Sequence, residues 1–131
     1  MYSDSGVGPT LNTVQGGRKV PKILVRQATK SGFSKVEPGD SVNVSQPNSK
    51  TRRGRVGHQI ANTLTTQSEQ AVLLDDYRLR MLTPRECWRL QGFTDEQFEK
   101  AQEVNSNSQL YKQAGNSVTV PVIAELAKLF V

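Results

Sequence analysis

A chain of 131 residues is long enough for one modest domain and too short for two comfortable cores. No stretch approaches the roughly 18 apolar residues that a membrane span needs, and the opening MYSDSGVGPT lacks the regions of a signal peptide, so the expectation is a cytoplasmic protein with no membrane partner. With one cysteine, Cys87, and one histidine, His58, an internal disulfide is excluded and no metal site is expected.

The net charge of +5 is uneven. Up to Leu74, ten Lys or Arg stand against four Asp or Glu; from Asp75 onward, seven stand against eight. The basic excess therefore belongs to the first half.

Residues 1 to 70 are rich in Gly, Pro, Ser, Thr and Asn, and carry short β-type runs, Lys22 to Arg26 and Ser41 to Val44, between turns at Gly16-Gly17 and Pro38-Gly39-Asp40. Short strands and long loops are predicted. GPTLNT at 8 to 13 and ANTLTT at 61 to 66 repeat a Thr-Leu-x-Thr core, and each precedes a β-like run, PKILVR or AVLL. Two copies are too few for a solenoid. Ser49-Lys50-Thr51-Arg52-Arg53-Gly54-Arg55 is the densest cationic run; it suits phosphate contact, with solvated loop charge as the plainer alternative.

The periodicity turns helical at Thr83. Thr83-Pro84-Arg85-Glu86 is a capping box with proline at the first helical position, predicting a helix to about Gln91, stopped by Gly92. Thr94-Asp95-Glu96-Gln97 repeats the device, with Phe98, Ala101 and Val104 expected on one apolar face and an end in the polar run 105 to 108. The next helix is expected to start after the Gly115-Asn116-Ser117 turn, capped by Ser117, and to carry Val118, Val122, Ile123, Leu126, Leu129 and Phe130. Such a helix is too apolar to stand alone.

Two stretches, RMLTPRECWRLQGFTD at 80 to 95 and YKQAGNSVTVPV at 111 to 122, resemble the last two sequence motifs of the DNA (cytosine-5) methyltransferases, in the right order and at a normal separation. Some twenty matched positions over two linked motifs leave chance a poor explanation. The preceding region is similar to the C-terminal part of that family's variable target recognition domain, bacterial and phage enzymes especially.

The resemblance implies an α+β fold: an irregular β-rich target recognition region at 1–77, then at 78–131 the C-terminal helices of a doubly wound, Rossmann-like α/β domain that uses S-adenosylmethionine. Carried over, Asn116, Ser117 and Val118 would touch the cofactor, and free N–H groups at a helix start would suit its carboxylate. Arg80, Thr83, Arg85, Glu86, Arg89 and Gln91 would be scaffold. For double-stranded DNA the expected contacts are Lys50, Arg52, Arg53 and Arg55, together with Thr10, Leu11, Gln15, Gly16 and Gly17 or with Thr63, Leu64, Thr65, Thr66 and Gln67; the two Thr-Leu stretches are alternatives. His58 is expected to be a polar loop residue.

No catalytic residue is expected. The family's nucleophile sits in a Pro-Cys loop, whereas Cys87 lies mid-helix in RECWRL and is expected to pack. The 131 residues hold no Phe-x-Gly-x-Gly loop, no Pro-Cys-Gln, no Glu-Asn-Val and no Gln-x-Arg-x-Arg. The expectation is a C-terminal fragment or small subunit that reads DNA, completes the cofactor pocket and needs a complementing catalytic chain for methyl transfer. A stand-alone DNA-binding module and an inactive truncated prophage remnant are the alternatives.

Overall fold

The computed structural model describes Tyr2–Ser3 and residues 22–131. Thr10, Leu11, Gln15 and the Gly16-Gly17 turn lie outside the described residues. The chain is α+β and divides into two compact units, one of residues 1–62 with 70–80 and one of 63–69 with 81–131. The helical unit thus takes in a segment, 63–69, that the expected division at 77/78 leaves with the strands.

Among its described residues the first unit holds seven short strands: β1 (Tyr2–Ser3), β2 (Ile23–Arg26), β3 (Phe33–Val36), β4 (Ser41–Asn43), β5 (Val56–Gly57), β6 (Gln70–Leu73) and β7 (Leu79–Met81), the last running one residue past the unit boundary. They form two sheets, β1-β2-β3 and β5-β4-β6-β7. β2 and β3 are an antiparallel hairpin in which Arg26 faces Phe33 and Ile23 faces Val36, while β6 pairs antiparallel with β4. Alternation along these strands places Val25, Val36, Val42 and Leu73 in one core, with Ile23, Val44, Val56 and Tyr77 packed around it.

The helical unit contains α1 (Pro84–Leu90), α2 (Asp95–Gln102), α3 (Asn107–Asn116), α4 (Val120–Ala127) and a 3-10 turn at Lys128–Phe130. Both predicted capping boxes form. Thr83 Oγ1 accepts from the Glu86 N–H while Glu86 accepts from the Thr83 N–H, and Thr94 and Gln97 do the same. Cys87, Trp88, Phe98, Leu110 and Ala114 make the core. Trp88 stacks obliquely on Phe93 at 4.9 Å and edge-on to Phe98 at 5.6 Å, and its indole N–H donates to the Leu110 carbonyl at 3.0 Å.

The end of the chain differs from expectation in one element. α3 fills the stretch before the Gly-Asn-Ser turn, capped by Ser106 and buried through Leu110 and Ala114 at i, i+4. Gly115 and Asn116 are its last residues, and Ser117 is its C-cap, donating from Oγ to the Ala114 carbonyl at 2.8 Å. α4 starts three residues later, at Val120, with Thr119 preceding it and no side-chain cap.

Candidate functional site

The turn joining α3 to α4 is held by one side chain from α1's end. The Gln91 Nε2 donates to the Ala114 carbonyl at 2.8 Å, its Oε1 accepts from the Thr119 hydroxyl at 3.0 Å, and its backbone carbonyl accepts from the Val120 N–H at 2.8 Å. Gly92, next in sequence, has φ +90, and a Cβ there would lie 2.6 Å from Pro121 Cδ. Glycine is required at 92 both for its backbone conformation and for the approach of the proline.

These contacts change the physical argument for an anion at the turn. The Val120 N–H is taken by Gln91, Pro121 has none to offer, and the Val122 N–H bonds to the Thr119 carbonyl at 3.1 Å. The first N–H groups of α4 are therefore occupied, and Ser117 stands at the negative end of α3. What the turn does present is side chain: the exposed Asn116 amide, which has no hydrogen-bond partner among the described residues, the half-buried Ser117 hydroxyl and the exposed Val118.

Segment 63–69 packs beside this turn. Leu64 is half-buried against the helical core. The Thr65 hydroxyl donates to Glu69 at 3.1 Å, and the Thr65 carbonyl runs so close to Gly115 that a Cβ there would overlap it. Of the second Thr-Leu stretch, Thr63, Thr66 and Gln67 are exposed.

The scaffold arginines engage acids. Arg89 grips Asp95 with two hydrogen bonds, at 2.8 and 2.6 Å; this pairing, helped by the nearby Arg85, holds the Asp95 carboxyl below the usual range. Arg85 lies 3.3 Å from Glu99 and over the Phe98 ring at 5.2 Å. Cys87 is buried in the core, and burial, with Glu86 adding to it, pushes its thiol up to about 11, so it remains protonated at neutral pH.

In the strand unit the cationic run is split by burial. Lys50 and Arg53 are exposed and Arg52 is half-exposed. Arg55 is 1% exposed; its guanidinium donates to the carbonyls of Asn43 at 3.1 Å, Arg26 at 2.9 Å and Pro47 at 3.4 Å. The expected phosphate contact by Arg55 is overturned: a side chain enclosed by three carbonyls is a strut for the sheet. Composition alone places all four cations together; only the path of β5 turns the last one inward. His58 is exposed, its Nδ1 2.9 Å from the buried Asp40 carboxylate. No group of His, Cys, Asp or Glu among the described residues could hold a metal, and no helix is long and apolar enough to cross a membrane.

Residues 9–130 match the C-5 cytosine-specific DNA methylase family. The chain belongs to that family. Among its curated relatives, it is 40% identical over 130 residues to the orphan methyltransferase M.SPBetaI of Bacillus phage SPbeta, covering 96% of this chain and 28% of that protein. It is 37% identical to the orphan methyltransferase M.Rho11sI of Bacillus phage rho11s over 98% of this chain and 33% of that protein. The DNA-cytosine methyltransferase of Escherichia coli K12 is 51% identical over 57 residues, 44% of this chain and 12% of that protein. The chain thus spans about a third of the length of its phage relatives. No solved structure matches it.

Proposed function

We propose that these residues form the C-terminal part of a DNA (cytosine-5) methyltransferase, reading target DNA with residues 1–77 and completing an S-adenosylmethionine pocket with the turn after α3. Cytosine C5 methylation then requires a catalytic portion that supplies the nucleophilic cysteine and the glycine-rich cofactor loop, neither of which occurs in the 131 residues. In this reading α4 closes a doubly wound Rossmann-like domain formed with that portion.

The observation that carries the reading is α4 itself. Not one of its residues is buried, and Val122, Ile123, Leu126, Leu129 and Phe130 are all exposed. An apolar face of this extent needs a cover, and family membership supplies one of the right kind: the rest of the enzyme. The Gln91 clasp fixes the turn, leaving the Asn116 amide to bind the polar end of the cofactor, with Ser117 and Val118 beside it. The exposed Thr63, with Leu64 and Thr65 packed in the helical unit, and the exposed Lys50 and Arg53 with the half-exposed Arg52 are the DNA contacts of this reading; Thr10, Leu11, Gln15, Gly16 and Gly17 are the alternative Thr-Leu stretch.

The test is complementation. The N-terminal two thirds of the phage relative M.SPBetaI, co-expressed with this chain, is expected to transfer a tritiated methyl group from S-adenosylmethionine to cytosine in duplex DNA, and neither piece alone is expected to do so. Asn116→Ala is expected to raise the KM for S-adenosylmethionine. A pair that associates yet transfers no methyl group would sink the proposal.

A further inference from the structure

We propose that a groove at the tip of the β2–β3 hairpin holds one unpaired nucleotide of the DNA, its phosphate between Arg26 and Lys50 and its base on the ring of Phe33. The groove has a volume of about 280 Å³, is open to solvent, and is lined also by Gln27 and Thr29. That size falls just below the usual range of about 300–1,000 Å³ for ligand sites, so the groove takes at most part of a single nucleotide, its remainder staying in solvent.

The chemistry of the lining is matched to that unit. Arg26 and Phe33 are direct cross-strand partners, and both are exposed, so the cation and the ring stand side by side on one face. Phe33 is 39% exposed, and no cation among the described residues sits over its ring. Lys50 enters from the neighbouring cationic loop. Among the described residues, neither Arg26 nor Lys50 has a carboxylate partner and no acid lines the groove. Two cations without a carboxylate partner among the described residues, flanking an open aromatic face, combine the two elements that bind single-stranded nucleic acid, phosphate attraction and base stacking.

The site is also preformed. The Ala28 N–H donates to the Arg52 carbonyl at 2.7 Å, tying the hairpin tip to the cationic loop. Arg55 reaches from below to bind the Arg26 carbonyl, and the Ser31 hydroxyl holds the Phe33 carbonyl at 2.9 Å. Gly32, at φ +78, closes the loop between Thr29 and Phe33. Little ordering is left for the ligand to impose, which favours binding. A flat phosphate-binding surface needs no aromatic; a ring at this place selects a base whose face is free, hence one that is out of the stack.

The inference rests on the DNA-reading role proposed above, and one experiment separates the two. Fluorescence anisotropy would compare the chain's affinity for a fully paired duplex and for the same duplex carrying one unpaired thymidine. The bulged duplex is expected to bind about tenfold more tightly, the size of one stacked base. Phe33→Ala and Phe33→Met should both remove that preference and leave the paired duplex unaffected, whereas Phe33→Tyr should keep it. Arg26→Ala combined with Lys50→Ala should flatten the log–log salt slope by about 0.9, the worth of the one phosphate they share. Equal affinity of the unmodified chain for both duplexes, or a preference that survives Phe33→Ala, would overturn the nucleotide site while leaving DNA binding in place. Absence of salt-dependent binding to either duplex would overturn the DNA-reading role and this site with it.

Discussion

The backbone of Thr65 lies against Gly115 at a distance that excludes any side chain at 115. A segment that belongs by sequence to the loops is thereby seated on α3, one residue before the Asn116 amide. Gly115→Ala is expected to lift 63–66 off the helix. Overpacking of this kind costs about 1–3 kcal/mol, and the loss should appear as a lower urea midpoint followed by Trp88 fluorescence, since Trp88 is buried in the same unit.

Gln91 makes three connections between the end of α1 and the α3–α4 turn, two of them through its side chain. Gln91→Ala takes its acceptor from the Thr119 hydroxyl and one donor from the Ala114 carbonyl, which keeps the Ser117 hydroxyl, at a cost of about 0.5–1.5 kcal/mol per lost bond. Gln91→Glu keeps the acceptor but cannot donate to Ala114, and its carboxylate meets a carbonyl. Both variants are expected to speed amide exchange at Val120 and Val122, readable by NMR; unaltered exchange would mean that α4 is held by other contacts.

Arg55 and Arg53 should respond oppositely to the same substitution. Arg55→Ala leaves the carbonyls of Asn43 and Arg26 without their donor, each worth about 1–3 kcal/mol when buried, and is expected to destabilise the strand unit severely. Arg53→Ala, at an exposed position, should change stability by no more than about 0.5 kcal/mol. Its expected effect is a DNA salt slope about 0.9 smaller. Circular dichroism melts and salt titrations of duplex binding check the pair.

Asp40 makes the strand unit acid-sensitive. Burial raises its pKa, but hydrogen bonds from the Glu37 and Gln59 N–H groups, the Gln59 amide and His58 outweigh that, and hold the carboxyl below its ordinary value of 3.8. A folded value below the unfolded one contributes stability that is fully present above the unfolded pKa, near pH 4, and is lost as pH falls through the folded value. Urea midpoints should therefore fall between pH 5 and pH 2, and more steeply than in Asp40→Asn, which should be weaker at pH 7 by about 1–3 kcal/mol.

The helix starts were legible because capping is a local matter: Thr83 with Glu86, and Thr94 with Gln97, satisfy backbone donors within three residues of themselves. Strands β2, β4 and β6 were legible from β-branched runs between turn residues. α3 was not, because its signal is weak: a Ser106 cap and the Leu110 and Ala114 pair stand amid polar residues and precede a glycine. A helix ending in Gly-Asn-Ser looks from the sequence like a turn opening the next one.

By itself the sequence determined the family, the α+β character and the location of the two motifs, since these rest on residue identity and short-range spacing. Tertiary structure alone decided that Gln91 clasps the turn, that Thr65 packs on Gly115, that Arg55 faces inward while Lys50 and Arg53 face out, and that Arg26 and Phe33 stand side by side. The first three depend on residues far apart in the chain and the last on the register of the hairpin, and neither is set until the strands and helices have paired and packed.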